Sequence, residues 1–393
     1  MKLPEADWRS REGLDRLTEA LGAGDGLVRY VGGVVRDTLL GIPVADIDLA
    51  TALAPEETAR RIRQAGFKAV PTGIAHGTVT AVLPGGPVEV TTLRRDVATD
   101  GRHAQVAFTD DWREDAARRD FTINALSADP RDGAVHDYFD GEADLAARRV
   151  RFIGAPLERI AEDHLRILRF FRFHARFGVG APDAAGLDAC TARANDLMAL
   201  SRERIAQELL RLLAVEDPAP TVAVMIDRAI LRPVLPEIGA DGVARLAALV
   251  VREAGQGDPL RRLAALLPTD PATAEAVAIR LKLSNAQRQR LARAAEGEAP
   301  GDARALAYAI GVEAAHDRLL LRASDAGLVE GAKALEGWSP PRLPLTGGDL
   351  IAMGLTAGPV VAATLRRVER RWIGEGFPDA ARARAIAREE VRG

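Results

Sequence analysis

Gly32-Gly33-Val34-Val35-Arg36-Asp37, followed within ten residues by Asp46-Ile47-Asp48, decides how the chain is read. Residues 27–31 have the pattern of a short strand, Gly32-Gly33 of a tight turn, 34–40 of one or two helical turns closed by Gly41, and 44–49 of a second strand. A helix that starts on two glycines leaves its first N–H groups free. Without Cβ atoms the backbone can approach a polyphosphate closely, and Arg36 in the first turn adds a fork of donors. Asp46 and Asp48 are two apart on the expected strand, so their side chains share one face. Two carboxylates on one face, with little to neutralise them, suit a pair of Mg²⁺ ions about 4 Å apart that activate an attacking oxygen and hold a triphosphate. Each piece alone has an ordinary explanation as a turn or a solvated strand; their order and spacing point to nucleotide chemistry.

Composition narrows the setting. The chain has 393 residues, 47% of them apolar and 28% charged, which is ordinary for a globular protein of two to four domains with a large core. Met1-Lys2-Leu3-Pro4-Glu5-Ala6-Asp7 has no apolar leader core, and no run approaches the ~18 apolar residues of a membrane span, so a cytoplasmic protein without membrane contact is expected. Cys190 is the only cysteine, which excludes internal disulfides and thiolate zinc clusters. The six histidines (76, 103, 136, 164, 174, 316) do not cluster, and no metal is assigned to them.

A formal net charge of −3 means that any nucleic acid must be held by local patches. Residues 148–176 carry eight arginines against Glu158, Glu162 and Asp163; residues 366–392 carry eight arginines against five acids. Both runs can be read as RNA-contacting surfaces or as solvated helix faces. Aromatics make up only 4% of the chain, which favours recognition of a duplex by shape over stacking of many bases.

Residues 27–150 alternate short strands (27–31, 44–49, 68–71, 77–83, 88–93, 135–137) with short helices (34–40, 55–65, 120–128). From about 155 strand patterns nearly vanish. Ala/Leu/Arg/Glu segments follow, broken by clusters such as Glu216-Asp217-Pro218 and Ala299-Pro300-Gly301. The expected class is α+β, with an α+β domain followed by an all-helical extension.

Three further constellations bear chemistry. Pro87-Val88-Glu89-Val90-Thr91-Thr92 alternates, placing Glu89 and Thr91 on one strand face, where Glu89 is either a third carboxylate or an exposed strand residue. Arg118-Arg119-Asp120-Phe121-Thr122-Ile123-Asn124 reads as a helix start with Asp120 as N-cap; capping accounts for Asp120 but not for the two arginines and the polar Asn124. Glu162-Asp163-His164-Leu165-Arg166-Ile167-Leu168-Arg169-Phe170-Phe171-Arg172-Phe173 reads as one helix, with Asp163 and Arg166 as neighbours and Arg169 and Arg172 continuing the row. That pair is either an ion pair or a base reader. Cytosine and adenine each offer an amino donor beside a ring-nitrogen acceptor, matching a carboxylate next to a guanidinium, whereas guanine and uracil present the reverse.

Taken in order, residues 32–41, 46–51, 73–80, 89–92, 118–126 and 162–173, with Ser201-Arg-Glu-Arg-Ile-Ala-Gln-Glu following, resemble the motifs of class II CCA-adding tRNA nucleotidyltransferases and their poly(A) polymerase relatives, in the bacterial CCA-adding type. The resemblance implies a small polymerase beta-like nucleotidyltransferase head with a mixed sheet (1–150), then an all-α neck (151–213), body (214–300) and tail (301–393). It implies that Asp46 and Asp48 bind catalytic Mg²⁺ with Glu89 as third carboxylate, and that Gly33 and Arg36 hold the triphosphate. Arg119, Asp120 and Asn124 would surround the incoming nucleotide, the last two near the ribose 2′-OH. Asp163 and Arg166 would select C and A, supported by Arg169 and Arg172. The implied reactants are CTP, ATP and the tRNA acceptor arm, with no protein partner. The alternatives are a poly(A) polymerase, an enzyme adding only CC or only A, and an inactive RNA-binding relative. Residues 94–111, including Asp100-Gly101-Arg102, resemble an intact flexible loop, which CC-only enzymes shorten.

Overall fold

The computed structural model describes residues 1–73, 77–99, 104–297 and 301–392. Short apolar runs between glycine and proline turns build strands β1 (Val28–Val31), β2 (Asp48–Thr51), β3 (Lys68–Gly73), β4 (Thr78–Leu83) and β5 (Gly86–Thr92). A separate antiparallel ribbon follows, β6 (Arg94–Thr99) with β7 (Ala104–Phe108), and then β8 (Ser127–Ala128) and β9 (Val135–His136). The main sheet runs β3-β4-β5-β2-β1-β8-β9, mixed because β2 and β5 pair in parallel while the other neighbours are antiparallel. In that parallel pair Asp48 faces Glu89 and Leu49 faces Val90. Period-two alternation then buries Leu49 and Val90 and brings the two carboxylates to one face.

Helices α1 (Leu14–Ala20), α2 (Gly33–Leu39) and α3 (Pro55–Gln64) belong to this sheet region. In α3 the apolar stripe of Ala59 and Ile62 is buried, Pro55 opens the helix, and Glu56 and Glu57 occupy its positive end. α4 (Trp112–Ala117) is capped by Asp111, whose carboxylate accepts from the backbone N–H groups of Arg113 and Glu114. After α5 (Gly141–Ala146) come α6 (Pro156–Glu162), α7 (Arg166–Phe177), α8 (Ala184–Ala192), α9 (Arg202–Leu213) and α10 (Ala219–Asp227). Phe121, Phe152 and Phe170 are buried against one another, with ring centroids 5.0 Å and 5.4 Å apart for the two pairs that Phe152 makes. Each such burial contributes about 1.5–3 kcal/mol. They fasten the inner face of α7 beside the sheet and leave its arginines on the other side.

The chain forms two compact units, Met1–Pro236 and Glu237–Gly393. The boundary falls within residues 214–300. Among its described residues the second unit is helical, beginning with α11 (Ala240–Glu253) and α12 (Pro259–Leu266). Buried Glu253 accepts from Arg262 at 2.7 Å and Arg261 at 2.8 Å, and Arg261 also reaches buried Asp317 at 2.8 Å. In the arginine run 366–392, Arg367, Arg371 and Arg382 form surface ion pairs with Glu375, Glu389 and Glu390.

Several expected elements differ. The strand expected at 44–49 begins only at Asp48, and Asp46 precedes it in irregular chain. The helix expected at 120–128 is a single 3₁₀ turn, Thr122–Asn124, followed by β8, because Tyr30 and Val31 take Ala128 and Ser127 into the sheet. The long helix through 162–173 is broken. Asp163 has extended backbone (φ −152°, ψ 107°), and its carboxylate accepts from the Leu165 N–H at 3.1 Å, a local bond that competes with helix continuation. Residues 94–111 contain the β6–β7 ribbon rather than a simple loop; Asp100-Gly101-Arg102 and residues 74–76 lie outside the described residues.

Candidate active site

A cavity of about 760 Å³ opens where β2, β5, the start of α2 and the outer face of α7 meet. All twelve site residues expected from the sequence line it: Gly33, Arg36, Asp46, Asp48, Glu89, Arg119, Asp120, Asn124, Asp163, Arg166, Arg169 and Arg172.

One wall is acidic. Ile47, 2% exposed, anchors the chain between Asp46 and Asp48, and the β2–β5 register brings Glu89 beside Asp48. None of these three carboxylates forms a side-chain hydrogen bond or ion pair with another described residue. Burial, then the Glu89 charge, and more weakly that of Asp46, push the Asp48 carboxyl above the ordinary carboxylate range, with Arg119 opposing. Among the described residues no three acidic, His or Cys side chains already converge as a closed cation cage. An open row of hard oxygen donors with uncompensated charge fits Mg²⁺, which keeps waters and takes further ligands from substrate phosphates. A measurable consequence follows from the shift. Glu89→Gln removes the neighbouring charge, so the Asp48 carboxyl, followed by carbon NMR without divalent metal, is expected to titrate at lower pH than in the unaltered protein. An unchanged midpoint would show that the two carboxylates are not coupled.

Opposite lies the glycine turn. Gly32 has φ 69° and ψ −120°, a backbone conformation that favours glycine; a Cβ there would also stand 2.8 Å from Nη1 of Arg119, which would have to move aside. Arg119 donates to Asp115 at 3.3 Å and to the Asn124 carbonyl at 3.2 Å. Arg36 is buried, and its donors are engaged: Nε and Nη2 meet Asp37 at 2.7 and 2.6 Å, and Nη1 meets Oδ1 of Asn124 at 2.5 Å. It lies 4.1 Å over the Phe177 ring. Asn124 donates in turn to Asp120 at 2.9 Å, and Arg169 donates to the other Asp120 oxygen at 2.8 and 2.5 Å. Burial alone would push the Asp120 carboxyl up. Arg169, the Asn124 amide and the Phe121 N–H outweigh it and hold the group below its usual value.

The expected Asp163–Arg166 pair is not formed, because the two residues are not on one helix. Asp163 takes both oxygens to Arg204 on α9, at 3.1 and 2.8 Å. Arg166 is held by Glu162 at 2.5 Å and by the carbonyls of Arg159 and Arg118 at 2.9 and 3.2 Å. The residues nevertheless face one cavity. Farther along α7, Arg172 meets buried Glu208 at 2.7 Å, and Glu208 also accepts from Arg211 at 3.2 Å. Arg149 and Arg151, with 49% and 35% of their side-chain surface exposed, pair with fully buried Asp144, so part of the run 148–176 neutralises an internal carboxylate. Sequence reasoning left Arg204, Glu208 and Arg211 without roles, although their i, i+4, i+7 spacing marks one face of α9. It also left out Arg94, Asp115 and Arg118, which line the cavity.

A mixed sheet carrying open carboxylates across a cavity from a glycine turn and an arginine-lined helix defines a nucleotidyl-transferring enzyme. A family model described as "Poly A polymerase head domain" matches residues 28–151, and one described as "Probable RNA and SrmB- binding site of polymerase A" matches 183–241. The mitochondrial CCA tRNA nucleotidyltransferase 1 of Mus musculus is 34% identical over 400 residues, covering 96% of this chain and 90% of its own length. The CCA-adding enzyme of Lacticaseibacillus paracasei is 32% identical over 365 residues, covering 89% of each. The Bacillus stearothermophilus CCA-adding enzyme, solved in complex with CTP, superposes with a TM-score of 0.73 at 26% identity, over 92% of this chain and 93% of that one. The chain belongs to the family of CCA-adding tRNA nucleotidyltransferases. Enzymes of this family work with a divalent metal. No described helix is long and apolar enough to cross a membrane.

Proposed function

We propose that the protein adds C, C and A to the 3′ end of tRNA from CTP and ATP, without a nucleic-acid template. The observation that carries this reading is the single cavity in which the carboxylates of β2 and β5 face the arginine row of α7; the family of relatives named for CCA addition supports it. The RNA 3′-OH attacks the α-phosphorus in line, the bond to the bridging oxygen breaks, and pyrophosphate leaves with its electron pair as the hydroxyl proton passes to solvent.

Asp46 and Asp48, with Glu89 beside them, would hold Mg²⁺. When bound, Mg²⁺ supplies a lowered pKa for the attacking hydroxyl and neutralisation of the departing charge. Gly33 gives the triphosphate close access to the backbone. Arg36 acts there as a buried positive charge that also fixes Asn124, while partly exposed Arg119 supplies donors beside Gly32. Asp120 and Asn124 are assigned to the ribose, with Arg169 locking Asp120. Asp163 accepts from the amino group of C or A, and Arg166 donates to the ring nitrogen. Arg172 supports the row. The divisions 1–150, 151–213, 214–300 and 301–393 serve as head, neck, body and tail, the last two holding the acceptor arm, in the cytoplasm.

The test is product length. Purified protein is incubated with tRNAs lacking one, two or all three terminal nucleotides and with each nucleotide separately. Completion to CCA followed by arrest is expected. Long adenylate tails would identify a poly(A) polymerase instead, and arrest after CC or addition of A alone would identify a partial enzyme.

A further inference from the structure

A second cavity of about 750 Å³ shares Arg172 and Arg211 with the active site and continues past them to Arg176, Glu216 and Asp217. Its three arginines, Arg172, Arg176 and Arg211, belong to two trios of charge. Asp37 lies between Arg36, at 2.6 Å, and Arg176, at 3.6 Å. Glu208 lies between Arg172, at 2.7 Å, and Arg211, at 3.2 Å. Each carboxylate thus serves two guanidinium groups, so each trio retains one positive charge in excess. Arg176 and Arg211 keep 44% and 53% of their side-chain surface exposed, whereas Asp37 and Glu208 keep 11% and 3%. The excess charge therefore faces outward, away from the buried carboxylates. Burial first, then like charge from Arg169 and Arg211, holds the Arg172 guanidinium below its ordinary pKa despite Glu208, in keeping with a crowded cationic junction.

We infer that this second cavity receives inorganic pyrophosphate as it leaves the active site, with Arg211 and Arg176 as its ligands and the exposed Asp217 carboxylate turning it out to solvent. The inference rests on the nucleotide-adding reading above, which is what produces pyrophosphate here. Position along α7 supports it: Asp163 and Arg166 stand at the base-selecting end, Arg169 is held by Asp120, and Arg172 and Arg176 lie beyond, where α7 meets Arg36 and Asp37 of α2, the helix that begins at the phosphate-side glycines. The acid on the far side sets the size of the ligand. A compact anion can sit on the arginines and stop short of Asp217, whereas an RNA strand continuing through would bring successive phosphates against it.

Calorimetry with inorganic pyrophosphate on the intact protein, without nucleotide, reads this site directly. Arg211→Gln is expected to weaken pyrophosphate binding about tenfold, the scale of one charge-assisted contact, and Arg211→Lys to restore most of the loss. Asp217→Asn, which keeps an oxygen to accept from the Ala219 N–H, should act in the opposite direction and tighten binding several-fold; a role confined to packing would not reverse sign with charge. Should Arg211→Gln fail to fold, the exposed Asp217→Asn variant still decides, since absence of tightening overturns the proposal. Affinity for tRNA is measured in parallel. Loss of tRNA affinity with pyrophosphate binding intact would assign the arginines to RNA and overturn it. Calorimetry requires no turnover, so a protein that binds pyrophosphate through Arg211 but adds no nucleotide would retain this site while refuting the proposed reaction.

Discussion

Asp48→Asn and Asp46→Asn are each expected to reduce nucleotide addition by roughly 10³-fold or more, because each removes a donor for the cation that stabilises both the attacking and the departing oxygen. Folding should be spared. Neither carboxylate has a hydrogen-bond partner among the described residues to orphan, and the Asp48 carboxyl is raised by burial and by Glu89. A raised carboxyl favours the fold while protonated and opposes it as pH rises through the folded-state value. Asp48→Asn should therefore leave thermal stability at neutral pH unchanged or slightly higher in metal-free buffer. Retention of more than a few per cent of activity by either variant would remove these residues from the metal site. Loss of the folded state would mean that the carboxylates serve structure.

The second large effect concerns base choice. Asp163→Ala removes the acceptor for the exocyclic amino group and the charge that repels a carbonyl. An unpaired buried polar group costs ~1–3 kcal/mol, so the preference for CTP and ATP over UTP and GTP should fall by one to two orders of magnitude in kcat/KM. The Arg204 pairing adds a second arm. Arg204, on α9, holds both Asp163 oxygens, so Arg204→Ala should raise KM for CTP and blur base preference less than Asp163→Ala does, with Arg204→Lys partly restoring it. A role limited to the Asp163–Arg204 ion pair makes the two alanine variants alike: lower stability with unchanged preference. Finding that pattern across all four nucleotides would reject Asp163 as a base reader.

Much of this site is local and so was legible in the chain. The double glycine has to form a turn because Gly32 takes positive φ beside Arg119, and α2 starts where the glycines end. The three-residue spacing of Arg166, Arg169 and Arg172 puts them on one side of α7 because helix geometry repeats within a turn. The alternation around Glu89 fixes which face of β5 it occupies. Such features depend on backbone preferences acting over a few residues, and the sequence by itself determined them. Partners distant along the chain are a different matter. Glu89 becomes a companion of Asp48 only through the parallel register of β2 and β5, formed after an intervening helix and two strands. Pairing with β1 draws residues 127 and 128 out of a helical pattern, since sheet hydrogen bonds outweigh a weak local preference. Asp163 breaks the expected helix through its own side chain, and Arg204, packed alongside from α9, takes the carboxylate that spacing alone would have given to Arg166. Charge pairing is settled by which groups packing brings within about 3 Å in a low-dielectric cleft, and so the tertiary structure alone decided which arginines hold the site together and which remain open to substrate.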